Sequence, residues 1–255
     1  SPQTPSAPPP RFLTGSLLRH IVVMAGTGAI GLVAIFAVDL INLLYISMLG
    51  EQAIAAAVGF AGVVGFFHMS IYIGLLIGIT ACVSRAVGAH QTDTAHALGT
   101  SSLVITAAIG VALTLVTLVF LQPILQGLGA EGRVLELAYR FVLITTPSTI
   151  LLGLGMACSA LLRSVGDARR SMMVTLVPAI VTAVLDPVFI FVFGLGLDGA
   201  AIVVVIARMV LLAVGLWGAW KVHKLLARFQ RSRLQRDAKT LFTVAGPAIL
   251  TNLAT

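Results

Sequence analysis

Residues 52–84 read QAIAAAVGFAGVVGFFHMSIYIGLLIGITACVS, thirty-three consecutive positions without an Asp, Glu, Lys or Arg. A helix needs about 20 apolar residues to cross a bilayer, so this stretch is long enough for one tilted span. Of all 255 residues, 58% are hydrophobic and 10% are charged, whereas a soluble protein carries about 25% charged residues. The chain is therefore an integral membrane protein, and most cytosolic enzymes, secreted disulfide scaffolds and disordered chains are excluded.

Comparable apolar stretches surround this one and predict an all-α fold with six membrane spans. The spans cover about 20–49, 52–84, 97–122, 137–162, 171–196 and 199–221. The predicted organisation is a flexible proline-rich tail at 1–15, a six-helix transmembrane bundle at 16–222, a basic loop at 223–239 and the start of a seventh helix at 240–255.

Basic residues decide between one span and two in residues 52–84, because Lys and Arg accumulate in cytoplasmic loops. With one span there, 13 of the 16 basic residues fall on one side of the membrane and two on the other, whereas two spans would give 11 and four. One span fits better, and it places the amino terminus and the basic loop in the cytoplasm. The net charge of +7 then suits an anionic membrane surface rather than nucleic acid.

Glycine motifs indicate helix packing rather than nucleotide binding. GxGxxG occurs at 26–31 and at 194–199, but neither match follows the strand that a dinucleotide site needs. Gly74 and Gly78 form a GxxxG pair, which is typical of closely packed membrane helices. HExxH, GxSxG, CxxC and P-loop motifs are absent from the sequence, so we expect neither an enzyme nor a cofactor.

Three ionisable residues stand out inside the apolar spans: Asp39, Asp186 and Arg208. Charges inside a membrane are costly and are by default candidates for function. Counted from the predicted span ends, all three lie roughly 14 to 15 Å below the outer surface, a depth at which they could meet. The alternative is a purely structural Asp–Arg pair. In that case the two acids would share a single base, Arg208. The carboxylate left without a partner would take up a proton, because its surroundings have a low dielectric constant.

Two further residues have simple interpretations. Pro187 directly follows Asp186 and has no N–H, so it leaves a carbonyl near Ala183 without its usual donor. His68 lies in the second span, where we interpret it as a buried, hydrogen-bonded histidine rather than a proton relay.

Two segments resemble a known family. The segment from Val38, VDLINLLYISMLGEQAIAAAVGF, resembles the first-helix signature of the multidrug and toxic compound extrusion transporters. The segment from Ser159, SALLRSVGDARRSMMVTLVPAIVTAVLDPVFIFVFGLGLDGAAIVVVIAR, is similar to the best-kept stretch of that family. Its LDP form is closer to the branch named for DNA-damage-inducible proteins.

The resemblance implies a twelve-helix, two-lobed antiporter of the cell inner membrane that exports drugs or other amphiphilic organic cations in exchange for protons or sodium ions. This chain would be the amino-terminal lobe, and its partner would be a second six-helix lobe. Asp39 and Asp186 would occupy the two acidic positions of the cation site, which includes possible sodium binding. The candidates for a supporting network are Asn42, Thr182 and Arg208.

The chain departs from the family pattern at several positions. Thr182 stands where the branch often has asparagine, Val204 where it often has threonine, and Thr27 replaces the helix-one proline linked to bending. One alternative function is a lipid-linked oligosaccharide flippase of the same superfamily, which would favour several basic residues in the cavity, where only Arg208 is available. Another is a membrane-embedded enzyme or scaffold, but the sequence lacks a nucleophile with a base or a metal-ligand cluster.

Overall fold

The computed structural model describes residues 17–223, 225–226 and 231–254, and every regular element in these ranges is helical. The α-helices, in chain order, are α1 (Leu17–Met48), α2 (Gln52–Gly88), α3 (Thr92–Val119), α4 (Leu121–Gly127), α5 (Gly132–Thr145), α6 (Thr149–Ser164), α7 (Ala168–Pro187), α8 (Gly196–Leu216) and α9 (Arg231–Ala254). The proline-rich stretch at 1–15 lies outside the described residues.

Six helical stretches in the described part of the chain are long and apolar enough to cross a membrane, as the sequence predicts. Residues 52–88 form one continuous helix, which confirms the single span assigned to this stretch. The fourth span is built from α5 and α6, joined by a 3₁₀ turn at Thr146–Ser148. The fifth and sixth spans continue beyond α7 and α8 as short π-helical segments, Val188–Val192 and Trp217–Val222.

Helix α4 is an element that the sequence analysis did not predict. It lies between the third and fourth spans, and its side chains Leu121 and Leu125 are fully buried. They pack with small and branched residues of α2 and α5, including Ala57, Ala138 and Val142. The short helix therefore closes one end of the bundle with apolar side chains.

Tyr72 is the largest side chain in the centre of the bundle, and two glycines make room for it. It is 1% exposed and lies between α3 and α6. A Cβ atom added to Gly110 would lie 3.0 Å from the Tyr72 hydroxyl, and one added to Gly153 would lie 2.6 Å from Tyr72 Cζ. Both helices can approach α2 closely only because these positions carry no side chain.

Helix α9 packs against α2 through the GxxxG pair, which confirms the packing role predicted for these glycines. A Cβ atom on Gly74 would lie 2.7 Å from the backbone nitrogen of Ile249, and one on Gly78 would lie 2.7 Å from Ala245 Cβ. The helix begins at Arg231, inside the stretch 223–239 that the sequence assigns to a loop. This stretch is rich in Arg, Lys, Leu and Gln, which favour helix, so its charge does not prevent helix formation.

The two GxGxxG matches differ in structure, and neither follows a strand in the described ranges. At 26–31 the glycines lie within α1, and Gly31 approaches Thr175 of α7. At 194–199, Gly194 and Gly196 have φ angles of 66° and 53°, so this match forms the turn between α7 and α8. Helix packing therefore explains the first match, and turn formation explains most of the second.

Candidate cation site in the membrane

Asp186 is a buried acid without a partner. Its side chain is 1% exposed, and neither carboxylate oxygen has a hydrogen-bond partner among the described residues. Transfer of an ionised carboxylate from water into an apolar environment is very unfavourable unless a cation or hydrogen-bond donors compensate for it. Asp186 therefore favours either its protonated form or a bound cation.

The backbone next to Asp186 departs from a regular α-helix. Pro178 and Pro187 both lie within α7, so the carbonyls of Val174 and Ala183 lack the N–H donor found four residues on in an α-helix. The π-helical segment Val188–Val192 follows directly. Such segments occur frequently at functional sites. The Ala183 carbonyl, about one turn before Asp186, can therefore accept a hydrogen bond or bind a cation.

Helix α1 lies alongside α7 and runs in the same direction. Gly31 lies against Thr175 near the start of this contact, and the rings of Tyr45 and Phe191 meet edge to face at 6.0 Å near its end. Asp39 precedes Tyr45 by six residues and Asp186 precedes Phe191 by five. The Asp39 backbone therefore lies within about one helical turn of the depth of Asp186, as predicted. The side chain of Asp39 lies outside the described part of the structure.

Asn42 and Thr182 are the other predicted members of the site on these two helices. Asn42 is half-buried, and its Oδ1 atom is buried without a hydrogen-bond partner among the described residues. The Thr182 hydroxyl donates to the carbonyl of Pro178 at 3.0 Å, so its proton is used within its own helix. The described side chains thus offer Asp186 no hydrogen-bond donor.

The candidate ligands for a cation in this region are oxygen atoms. They are the Asp186 carboxylate, the Thr182 hydroxyl and the Ala183 carbonyl about one turn earlier in α7, and the Asn42 amide oxygen on the neighbouring helix α1. Hard cations such as Na⁺ and protons suit oxygen donors, whereas Zn²⁺ and Cu²⁺ prefer nitrogen and sulfur. Among the described residues there is no cluster of three or more His, Cys, Asp and Glu side chains.

Arg208 does not pair with Asp186, and the two lie at different depths. Arg208 Nη1 donates to the Thr145 carbonyl and to Ser148 Oγ, both at 2.8 Å. It follows the start of α8 at Gly196 by twelve residues, about 18 Å, whereas Asp186 precedes the end of its helical run at Val192 by six, about 9 Å. The equal depth estimated from the sequence is wrong for this pair because the fifth span ends earlier, and the sixth span begins earlier, than predicted.

The break in the fourth span explains where Arg208 binds. The Thr149 N–H bonds to the Thr146 carbonyl in the 3₁₀ turn, so the Thr145 carbonyl is available to Arg208. The Thr114 hydroxyl donates to the Thr146 carbonyl at 3.4 Å and lies 3.3 Å from Thr149 Oγ1. The sequence signal that reveals this network is TTPST at 145–149, four hydroxyl residues and a proline inside an apolar span.

His68 has the structural role predicted for it. It is 4% exposed, and its Nε2 atom lies 2.8 Å from Thr117 Oγ1 of α3. The bond joins the second and third spans and satisfies a buried polar group.

The MatE family model matches residues 28–188, which run from within α1 to just past the end of α7 and include Asp186. The chain belongs to the MatE family. A FAD transporter from Shewanella oneidensis is 29% identical over 248 residues, 95% of this MatE chain and 55% of that protein. The multidrug export protein MepA from Staphylococcus aureus is 27% identical over 165 residues, 64% of this chain and 36% of that protein.

The fold of this MatE chain is also that of a solved transporter of the MOP superfamily from Pyrococcus furiosus. The two align with a TM-score of 0.88 at 23% identity, over 98% of this chain and 56% of that chain. This chain spans about half the length of the relatives it matches, or less. Its all-helical bundle therefore corresponds to one lobe of a MatE transporter.

Proposed function

We propose that this chain is one lobe of a secondary active exporter that moves amphiphilic organic cations in exchange for protons or sodium ions by alternating access. The observation that supports the proposal most is the isolation of Asp186, which is 1% exposed and has no partner among the described residues. An isolated acid inside the membrane stores a proton or a cation, because its ionised form has no other compensation.

In this mechanism the residues around Asp186 alternate between two occupied states. With a proton or Na⁺ bound, the charge of Asp186 is neutralised. The interior of the lobe around it can then exclude water without leaving an unsolvated charge. After release of that ion, a cationic substrate compensates for the carboxylate. Asp39, on the neighbouring helix at a similar depth, is the second acid, while Asn42 and Thr182 supply neutral oxygens.

A second candidate is the export of an anionic flavin. The FAD transporter matches 95% of this chain, whereas the multidrug export protein matches 64%. The two candidates share the coupling acid and differ in the charge of the substrate.

The complete transporter needs a second lobe, which either follows in the same polypeptide or comes from another chain. We place both in the cell inner membrane, with the amino terminus in the cytoplasm. In this arrangement α9, which packs on α2 at Gly74 and Gly78, is the first helix of the second lobe.

The experiment is transport into inside-out vesicles that contain the protein. A proton gradient or a sodium gradient is imposed, and uptake of ethidium, a cation, and of FAD, an anion, is measured in parallel. We expect uptake of ethidium driven by one of the gradients, and its loss in Asp186→Asn, which keeps the shape of the side chain and removes its charge. FAD uptake without ethidium uptake would instead establish the second candidate.

Asp198→Asn is the matched control, because it makes the same change at an acid outside the site. Asp198 lies in the first turn of α8 and pairs with Arg140 at 2.5 Å. Transport of neither probe under either gradient would contradict the proposal, and so would equal loss of transport in both variants.

A further inference from the structure

A pocket lies where α1 meets the turn between α6 and α7. Thr27 and Gly28 of α1 line one side, and Arg163 and Ser171 lie on the other, together with Ala168 and Met172. This end of the lobe is the one that the distribution of basic residues assigns to the cytoplasm. The pocket is remote from Asp186, which follows Ser171 in the same helical run by fifteen residues, about 22 Å.

Arg163 is held in a fixed orientation at this pocket. Its Nε atom donates to Ser171 Oγ at 2.8 Å, and Ser171 Oγ lies 2.8 Å from Ser159 Oγ. Both serines are buried, so the guanidinium is anchored at one edge. No other hydrogen bond joins Arg163 to the described residues, and its two Nη groups are available to a ligand.

Among the described residues, Arg163 lacks the kind of counterion that Arg140 and Arg170 have. Arg140 pairs with Asp198, and Arg170 pairs with Asp167. No carboxylate of the described residues lies within 4.0 Å of the Arg163 guanidinium, although its side chain is half-buried. Desolvation of a charge without a counterion is unfavourable, so this site favours an anion.

Gly28 provides the space that an anion needs. A Cβ atom added at Gly28 would have no heavy atom within 4 Å, so the wall of the pocket is open there. A guanidinium binds phosphate oxygens through two parallel hydrogen bonds, a geometry that a lysine cannot provide. The last turn of α6, which contains Arg163, adds a negative helix terminus that keeps the arginine charged and in place.

We propose that this pocket binds a phosphate group through Arg163, and that the phosphate belongs to the headgroup of an anionic phospholipid in the adjacent leaflet. The outer surface of α1 beyond the pocket is apolar, and Val33 and Phe36 are exposed on it. The chains of a lipid whose phosphate lies on Arg163 would therefore meet apolar side chains within the bilayer.

The experiment measures the melting temperature of the purified full chain in detergent during titration with short-chain phosphatidylglycerol. Short-chain phosphatidylcholine and inorganic phosphate serve as the other two ligands. We expect a saturable rise in melting temperature with phosphatidylglycerol and a much smaller one with phosphatidylcholine. An equal rise with inorganic phosphate would overturn the lipid assignment, because it would identify a free phosphate as the ligand.

Two pairs of variants separate the pocket from general electrostatics. Arg163→Gln should weaken phosphatidylglycerol binding by on the order of tenfold, whereas Arg169→Gln, at an exposed arginine of the same turn, should change it little. Gly28→Leu should block the pocket without a change in charge, and Gly26→Leu adds the same side chain in open space outside it.

The Gly28→Leu variant keeps the test decisive if Arg163→Gln does not fold. Wild-type affinity for phosphatidylglycerol in Gly28→Leu would overturn the proposal. Equal weakening by Arg163→Gln and Arg169→Gln would also overturn it, because attraction to the whole basic surface would then explain the binding.

Discussion

Arg208 Nη1 donates a 2.8 Å hydrogen bond to the carbonyl oxygen of Thr145. The bond joins the sixth span to the fourth span at its 3₁₀ break. The same nitrogen also donates to Ser148 Oγ at 2.8 Å. A guanidinium inside the membrane thus binds a backbone carbonyl that the 3₁₀ turn leaves available. Asp186 remains without a basic partner among the described residues, so the cation that joins the fourth and sixth spans is separate from the acid that we propose to couple transport.

Substitution of Arg208 by alanine should destabilise the lobe independently of Asp186. The loss of hydrogen bonds from a charged donor should lower the free energy of unfolding by about 1.5 to 3 kcal/mol. The effect should add to that of Asp186→Asn within about 0.5 kcal/mol, because the two side chains share no partner. Detergent melting curves of both single variants and the double variant measure this.

Met209→Ala is the control for the Arg208 experiment, because its side chain is adjacent in sequence and exposed on the outer surface of α8. It should change the melting temperature little. A double variant of Arg208→Ala and Asp186→Asn whose effect departs from the sum of the two single effects by more than about 0.5 kcal/mol would show that the two charges interact.

Gly74→Ala should loosen the contact between α2 and α9. The added Cβ would lie 2.7 Å from the Ile249 backbone nitrogen, which cannot move aside as a flexible side chain does. We expect a cost of about 1 to 3 kcal/mol, typical of an overpacked core. Gly62→Ala in the same helix meets no atom within 4 Å and should be neutral or stabilising by up to about 1 kcal/mol. Equal melting temperatures for the two variants would contradict the packing.

Asp167→Asn should remove a stabilising cluster at the turn between α6 and α7. Burial raises the pKa of Asp167, but hydrogen bonds from His223 and Arg170 outweigh it and hold this pKa below its ordinary value of 3.8. Because the folded protein favours the carboxylate, its contribution to stability is full above the ordinary pKa and is lost as the pH falls through the lower folded value.

The melting temperatures of wild type and Asp167→Asn should therefore differ most near neutral pH. The difference should shrink only as the pH falls below the ordinary value of 3.8, and thermal melts across that range measure it. A difference that grows on acidification would contradict the role of the ionised carboxylate.

Cysteine labelling should place the loops on alternate sides of the membrane. We expect Ala89→Cys and Gln235→Cys to be protected from an impermeant reagent in intact cells, and Glu131→Cys to be labelled. Cys82 and Cys158 are buried and are replaced by alanine in the background. Labelling of Ala89→Cys and Glu131→Cys from one side would contradict the six-span topology.

Much of the fold could be predicted from the sequence, because length and the absence of charge determine a membrane span directly. Residues 52–84 were expected to form one helix, and the structure has one at 52–88. Helix α4 could not be predicted in this way, because it has only seven residues and contains a proline. Such a segment cannot be distinguished from a loop by its hydrophobic pattern. The 3₁₀ turn at 146–148 could not be predicted from hydropathy either. One continuous helix and two helices that follow each other across the membrane have the same hydropathy.

The candidate site shows the same division. Asp186 could be found from the sequence, because a charge is conspicuous in an apolar span. The partner of Arg208 could not, because the Thr145 carbonyl becomes an acceptor only through the backbone geometry of another span. The phosphate pocket likewise depends on how α1 packs against α7, which no local pattern in the sequence specifies.

The most direct measurement on Asp186 is the infrared spectrum of the purified protein during a pH titration. A protonated carboxyl group in an apolar site has a carbonyl stretching band that an ionised carboxylate lacks. We expect such a band in wild type and in Asp198→Asn, a decrease when Na⁺ displaces the proton or when the pH rises, and its loss in Asp186→Asn. The same titrating band in Asp186→Asn and in wild type would contradict the assignment of Asp186 as the acid that exchanges a proton or a cation.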